Sequence, residues 1–183
     1  AWPEDRVGSA PTQSDLQRAK SFLVSLGRAD SPYQVASRIA SSDARGECGE
    51  LFRRRWGSVS NPVIPWYFNF TDEAPCNDAQ LDWCAAFASW ALMCSGRQCL
   101  KYADVKGNIA ALKKLGSEDR AMANRGDLVL LSRSGGGHVG FLSRWDGANG
   151  VYLMGGNQRE EKGAASSSVS ESRISIGEEG ARK

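Results

Sequence analysis

Histidine is almost missing from this chain of 183 residues: there is one, His138. Five cysteines are present but no C-x-x-C pair, so a zinc centre built from those thiols and that imidazole fails on spacing, and no metal or cofactor is expected. An excess of one charge is missing too. The 23 basic and 21 acidic residues leave a formal net charge of +2. No basic stripe with interleaved aromatics is found, and the densest basic patch, Arg53-Arg54-Arg55, reads as solvated surface rather than a polyanion site, so nucleic acid is not an expected partner. The uncharged run Trp83 to Cys94 is too short to cross a bilayer, and no membrane partner is expected. Nothing resembles a signal peptide. The opening Ala1-Trp2-Pro3-Glu4, without Met, suggests a processed chain or an excised domain. No repeat and no linker divide the chain.

What is there reads as a soluble globule. A hydrophobic content of 41% and a charged content of 24% are ordinary for one. The length suits a single domain with a real core. Leu16, Ala19, Phe22, Leu23 and Leu26 follow helical spacing, with Ser14 as cap and Gly27 as stop. Ser31-Pro32 opens a second helix through Ala40. A third short helix is expected around Leu51-Phe52. The stretch Asn61 to Phe70, aromatic and broken by prolines, reads as an ordered loop whose side chains suit core packing better than a substrate-groove wall. Another helix covers Asp104 to Leu115. Then the period changes to strands: Asp127 to Ser132, His138 to Arg144, Val151 to Gly155, and a weaker Ser168 to Ile176. Asp146 to Gly150 forms a hairpin turn between the second and third. Helices followed by an antiparallel sheet give an α+β fold.

Cys84 is the most informative residue. A polar lead-in with two aspartates, Asp78 and Asp82, precedes the Ala-rich run Trp83 to Cys94, which reads as a buried helix with Cys84 in its first turn. Unpaired N–H groups and the dipole there favour a thiolate, the nucleophilic form. A nucleophile needs a base and a group that orients the base. His138, in Gly135-Gly136-Gly137-His138, is the single candidate base. A symmetric hairpin sets Asn157 opposite His138, so Asn157 is the expected orienter; a bulge would shift the role to Gln158 or Gly156.

The odd cysteine count fits that reading. With Cys84 reactive, Cys48, Cys76, Cys94 and Cys99 remain for two disulfides. A Cys94–Cys99 staple and a Cys48–Cys76 bridge are one of three connectivities. Cys84 and Cys94 cannot pair, since ten helical residues separate them by about 15 Å against a limit of about 7 Å. The competing readings of Cys84 are a bridge to Cys76 or an inert buried thiol. Disulfides imply an oxidising compartment, hence a secreted or periplasmic protein; an all-thiol cytosolic protein is the alternative.

Four pieces, Trp83-Cys84-Ala85-Ala86-Phe87, Gly126-Asp127-Leu128-Val129, Gly137-His138-Val139-Gly140-Phe141 and Gly155-Gly156-Asn157-Gln158, resemble in order and spacing the NlpC/P60 and CHAP superfamily of papain-like cysteine peptidases and amidases. The likeness spans about the last hundred residues. Family members often read Pro-Gly-Asp where this chain has Arg125-Gly126-Asp127. The chain reads as one domain over 1–183, with a helical N-terminal region (1–75) that carries no family pattern, a core (76–176) that the resemblance implies is papain-like and catalytic, and a tail (177–183). The resemblance also implies hydrolysis of amide bonds in bacterial peptidoglycan peptides. Cys84 would attack the carbonyl, His138 would move the proton, and Asn157 would hold the ring. The Cys84 backbone N–H would give one oxyanion contact, with Gln80 or Asn77 as candidates for the second. A phage lysin, an autolysin or an interbacterial effector fits. An effector would need an immunity partner plugging the groove near Cys84. The rival readings are a papain-like peptidase or acyltransferase acting on protein or lipid, and a non-catalytic wall- or partner-binding module.

Overall fold

The computed structural model describes residues 12–26, 29–44, 55–56, 59–61, 63–73, 82–112, 120–133, 136–158 and 168–176. Cys48, Cys76, Asn77, Gln80, the segment around Leu51, the segment 159–167 and the tail 177–183 lie outside them.

Helix α1 (Gln13–Ser25) starts one residue before the expected cap. Thr12 is its N-cap: the hydroxyl accepts the Asp15 N–H at 3.2 Å, and the Asp15 carboxylate accepts the Thr12 N–H at 2.7 Å. That reciprocal pairing satisfies two N–H groups at once. Helix α2 (Pro32–Ala44) buries Val35, Ala36 and Ile39 and packs on α4 and the last strand. A short antiparallel pair follows, β1 (Arg55–Trp56) with β2 (Val59–Ser60).

The aromatic stretch is partly helical rather than a loop. It forms α3 (Ile64–Tyr67) and runs into a 3₁₀ turn, Phe68–Phe70. Pro65 falls in the first turn, where its missing N–H costs no helical bond, and packing holds the segment: Tyr67 and Phe68 are buried, and the Tyr67 ring centroid lies 5.3 Å from Phe87 and 5.2 Å from Trp90.

Helix α4 (Cys84–Cys94) is buried from Cys84 through Leu92. Eleven residues are too few for a helix to hold alone in water. Burial of side chains such as Phe87, at about 1.5–3 kcal/mol each, supplies what propensity lacks. The helix stops at Gly96, whose φ of 72° suits glycine. Gly96 N–H donates to Met93 O and Arg97 N–H to Leu92 O, both at 2.9 Å, closing a Schellman cap. Cys94 and Cys99 are free thiols on either side of this cap, so the expected staple is not formed; hydrogen bonds, not a disulfide, close the turn. Helix α5 (Val105–Leu112) then packs on the first two strands of the sheet.

The sheet is antiparallel, in the order β3 (Leu128–Arg133), β4 (Gly136–Asp146), β5 (Gly150–Gln158), β6 (Ser168–Ser175). The described residues thus form an α+β fold. Gly126, at φ 95°, makes the turn into β3. The neighbouring Arg125 donates to Tyr33 Oη at 2.9 Å. Leu128, Leu130, Val139, Phe141, Met154 and Val169 face α4 and the main core. Val129, Leu131, Leu142, Val151 and Leu153 form a smaller cluster on the other face. In β4 the register moves by one residue between Leu142 and Arg144, and the hydroxyl of the extra residue, Ser143, meets Tyr33 Oη at 3.2 Å.

Candidate active site

Cys84 is the first residue of α4 and only 2% exposed. The N-cap is Trp83, which makes no side-chain cap bond, rather than an aspartate. The helix is seated on the sheet through a glycine notch. A Cβ on Gly156 would lie 2.6 Å from the Trp83 ring and 2.7 Å from Phe87 Cβ, so only glycine lets the strand come this close. Burial pushes the Cys84 thiol up to about 11 from 9.0, and the nearby Asp82 charge adds to the rise. Backbone N–H groups of Val139, Ala85 and Cys84 itself favour the thiolate but do not offset the loss of water. The sulfur is therefore a protonated thiol at neutral pH. The helix terminus alone does not make the thiolate the sequence led us to expect, because desolvation exceeds a dipole effect of roughly 1 kcal/mol.

His138 lies on β4 one residue before Val139. A Cβ at the preceding Gly137 would lie 2.6 Å from Val105 Cγ1, so this glycine admits α5 rather than loosening a loop. The imidazole Nε2 is 2.8 Å from Gln158 Oε1. The Gln158 amide nitrogen donates to Leu153 O at 3.0 Å and to Ser170 O. Those two carbonyls can only accept, so they fix which end of the amide faces the ring. Oε1 must then receive a proton, so Nε2 carries one, and in the neutral imidazole Nδ1 is the acceptor.

Asn157, expected to orient the imidazole, does not. Its Nδ2 donates to Asp82 Oδ1 at 2.8 Å. The cause is a backbone irregularity. Asn157 has φ 57°, the one positive φ outside glycine among the described residues, and the β5–β6 register shifts by one between Gly155 and Gln158. The extra residue reverses the alternation of side chains. Gln158 thereby takes the position against His138, as the bulged alternative allowed.

Thiol and imidazole lie at the same end of the sheet. The N–H that meets the sulfur belongs to the peptide unit joining His138 to Val139. Cross-strand pairing sets Val139 with Leu130 on the α4 face and His138 with Leu131 on the opposite face. The two groups thus flank one peptide unit of β4. Gln158 on β5 and Ser168, Ser170 and Ser172 on the edge strand β6 are buried polar residues. Asp82, read from sequence as a cap, is instead the partner of Asn157; its place two residues ahead of Cys84 was the available signal. Asn77 and Gln80 lie outside the described residues, and so do Cys48 and Cys76. Among the described residues no group of three or more His, Cys, Asp or Glu is arranged to hold a metal ion, and no helix is long and apolar enough to cross a membrane.

No family model, no curated protein and no solved structure matches this chain.

Proposed function

We propose that the chain is a cysteine-dependent peptidoglycan hydrolase with a papain-like core, an amidase or endopeptidase acting on the peptide of the bacterial wall outside the cytoplasm. One observation carries the reading. The strand that presents Val139 N–H to the Cys84 sulfur also carries the sole histidine, whose Nε2 is held by Gln158.

The chemistry follows from the groups. The cysteine mechanism assigns His138 to take the thiol proton as Sγ adds to the substrate carbonyl carbon, which requires the ring to reach around the β4 peptide unit from the opposite face. The Cys84 backbone N–H, at the start of α4, faces the developing oxyanion. His138 returns the proton to the leaving amine, and the C–N bond breaks to leave a thioester. The base then takes a proton from water, hydroxide adds to the thioester, and the acid and the thiol are released. A thiol pushed up to about 11 makes the base essential, since no preformed thiolate is present near neutrality.

The test is digestion of purified wall. Cys84→Ala and His138→Ala should each abolish it with far-UV circular dichroism unchanged; full activity in either variant rejects the mechanism. Mass spectrometry of the released muropeptides identifies the bond.

A second reading is supported by the depth of Cys84: a non-catalytic wall- or partner-binding module whose thiol is core packing. Wall binding kept in full by Cys84→Ala, with no cleavage by the parent chain, would favour it.

A further inference from the structure

We infer that Asp82 and Asn157 form a clamp that sets which amide faces His138, making both of them positioning residues for the imidazole. The inference rests on reading His138 as the base. Asn157 sits in the left-handed region at φ 57°, where a residue with a Cβ is uncommon, although asparagine tolerates it better than most. Something must hold it there. Its side-chain amide donates to the Asp82 carboxylate at 2.8 Å, a charge-assisted bond between the last turn of β5 and the lead-in to α4.

The consequence falls on the next residue. In a strand each side chain faces opposite to its neighbour. With Asn157 left-handed, one residue is spent in the bulge and Gln158 lands against His138. Were Asn157 to relax to extended backbone, alternation would resume and Gln158 would turn to the other face, away from the ring and from the Leu153 and Ser170 carbonyls. The Asn157 amide bonds Asp82 and the ring is held by Gln158, so Asn157 acts through Gln158. Asp82 does double duty, because it also ties the bulge to the residues that lead into Cys84.

The chain's single histidine makes the test direct. In the full chain with ¹⁵N-labelled histidine and no substrate, the ring Nε2–H proton should be protected from exchange with solvent. Gln158→Ala should abolish that protection. Asp82→Ala and Asn157→Gly, the latter keeping a residue at ease with positive φ, should each lower it about five-fold, the worth of one net hydrogen bond. Asn157→Val, whose branched side chain rejects positive φ, should lower it further. The Asp82→Ala/Asn157→Gly double variant should be no worse than either single one. Ring protection unchanged in both Asp82→Ala and Asn157→Gly, with Gln158→Ala still destroying it, overturns the clamp. Should Asn157→Val not fold, the glycine and alanine variants still decide. Wall hydrolysis measured in parallel separates the two ideas: a clamp-dependent ring without hydrolysis rejects the enzyme and keeps the clamp, and hydrolysis with an indifferent ring does the reverse.

Discussion

His138 Nε2 and Gln158 Oε1 are 2.8 Å apart, across twenty residues of chain. Because the Gln158 nitrogen is committed to the Leu153 and Ser170 carbonyls, this one contact fixes the ring tautomer and assigns Nδ1 as the acceptor.

Removing the Gln158 amide should therefore hurt twice. Gln158→Ala leaves the ring N–H and two carbonyls without their partner, and stability in urea should fall by about 1–3 kcal/mol. Wall hydrolysis should slow by about ten- to a hundred-fold, as an unheld ring gives up roughly 1.4–2.8 kcal/mol of the transition state. An unchanged rate in a folded variant would move the orienting role elsewhere.

The Cys84 thiol gives a pH signature. Its folded value of about 11 lies above its ordinary 9.0, so the unfolded chain loses this proton first as pH rises. Stability from this group is whole below pH 9 and drains away toward pH 11. Cys94 is raised to about 11 as well, by burial and then by Cys99, so the share of Cys84 must be taken as a difference. The parent chain should lose more stability between pH 9 and 11 than Cys84→Ala does, in matched thermal melts.

Reactivity toward a small alkylating agent should sort the described thiols. Cys94 and Cys99, half-buried and unbonded, should be modified first in the native protein under non-reducing conditions; Cys84, at 2% exposure and held protonated, should react more slowly. Peptide-resolved mass spectrometry reads all three. A native Cys94–Cys99 crosslink would show instead as two unmodified sites.

Gly156→Ala tests the seat of α4. The new methyl would strike Trp83 and Phe87 at under 3 Å, and neither is at liberty to move. A loss of about 1–3 kcal/mol is expected, with hydrolysis falling beyond what the melting shift explains, since Trp83 is the neighbour of Cys84.

Local pattern carried far in this chain. The four sheet strands were legible within a few residues, because period-two alternation and the Asp146–Gly150 turn are local signals. The central helix was legible from its uncharged run and Gly96. The α3 turn was not, since four residues carry too little helical period to read, and only the packing of Tyr67 on its aromatic neighbours holds the turn. Thr12 was passed over for Ser14 because several polar residues cluster there and only the reciprocal bond to Asp15 selects one. The staple between Cys94 and Cys99 followed from spacing, which says nothing about a cap already closed by hydrogen bonds.

The chain's residue order by itself determined the α+β layout, the place of Cys84 in the first turn of α4, and the choice of His138 as the sole candidate base, because composition and periodicity are local properties. Tertiary structure decided the rest. Whether Asn157 or Gln158 meets the ring depends on one residue adopting φ 57°, and that depends on an aspartate 75 positions earlier being there to hold it. Whether Cys84 carries a proton depends on how much water the packed core excludes, a quantity that exists only once the chain has folded.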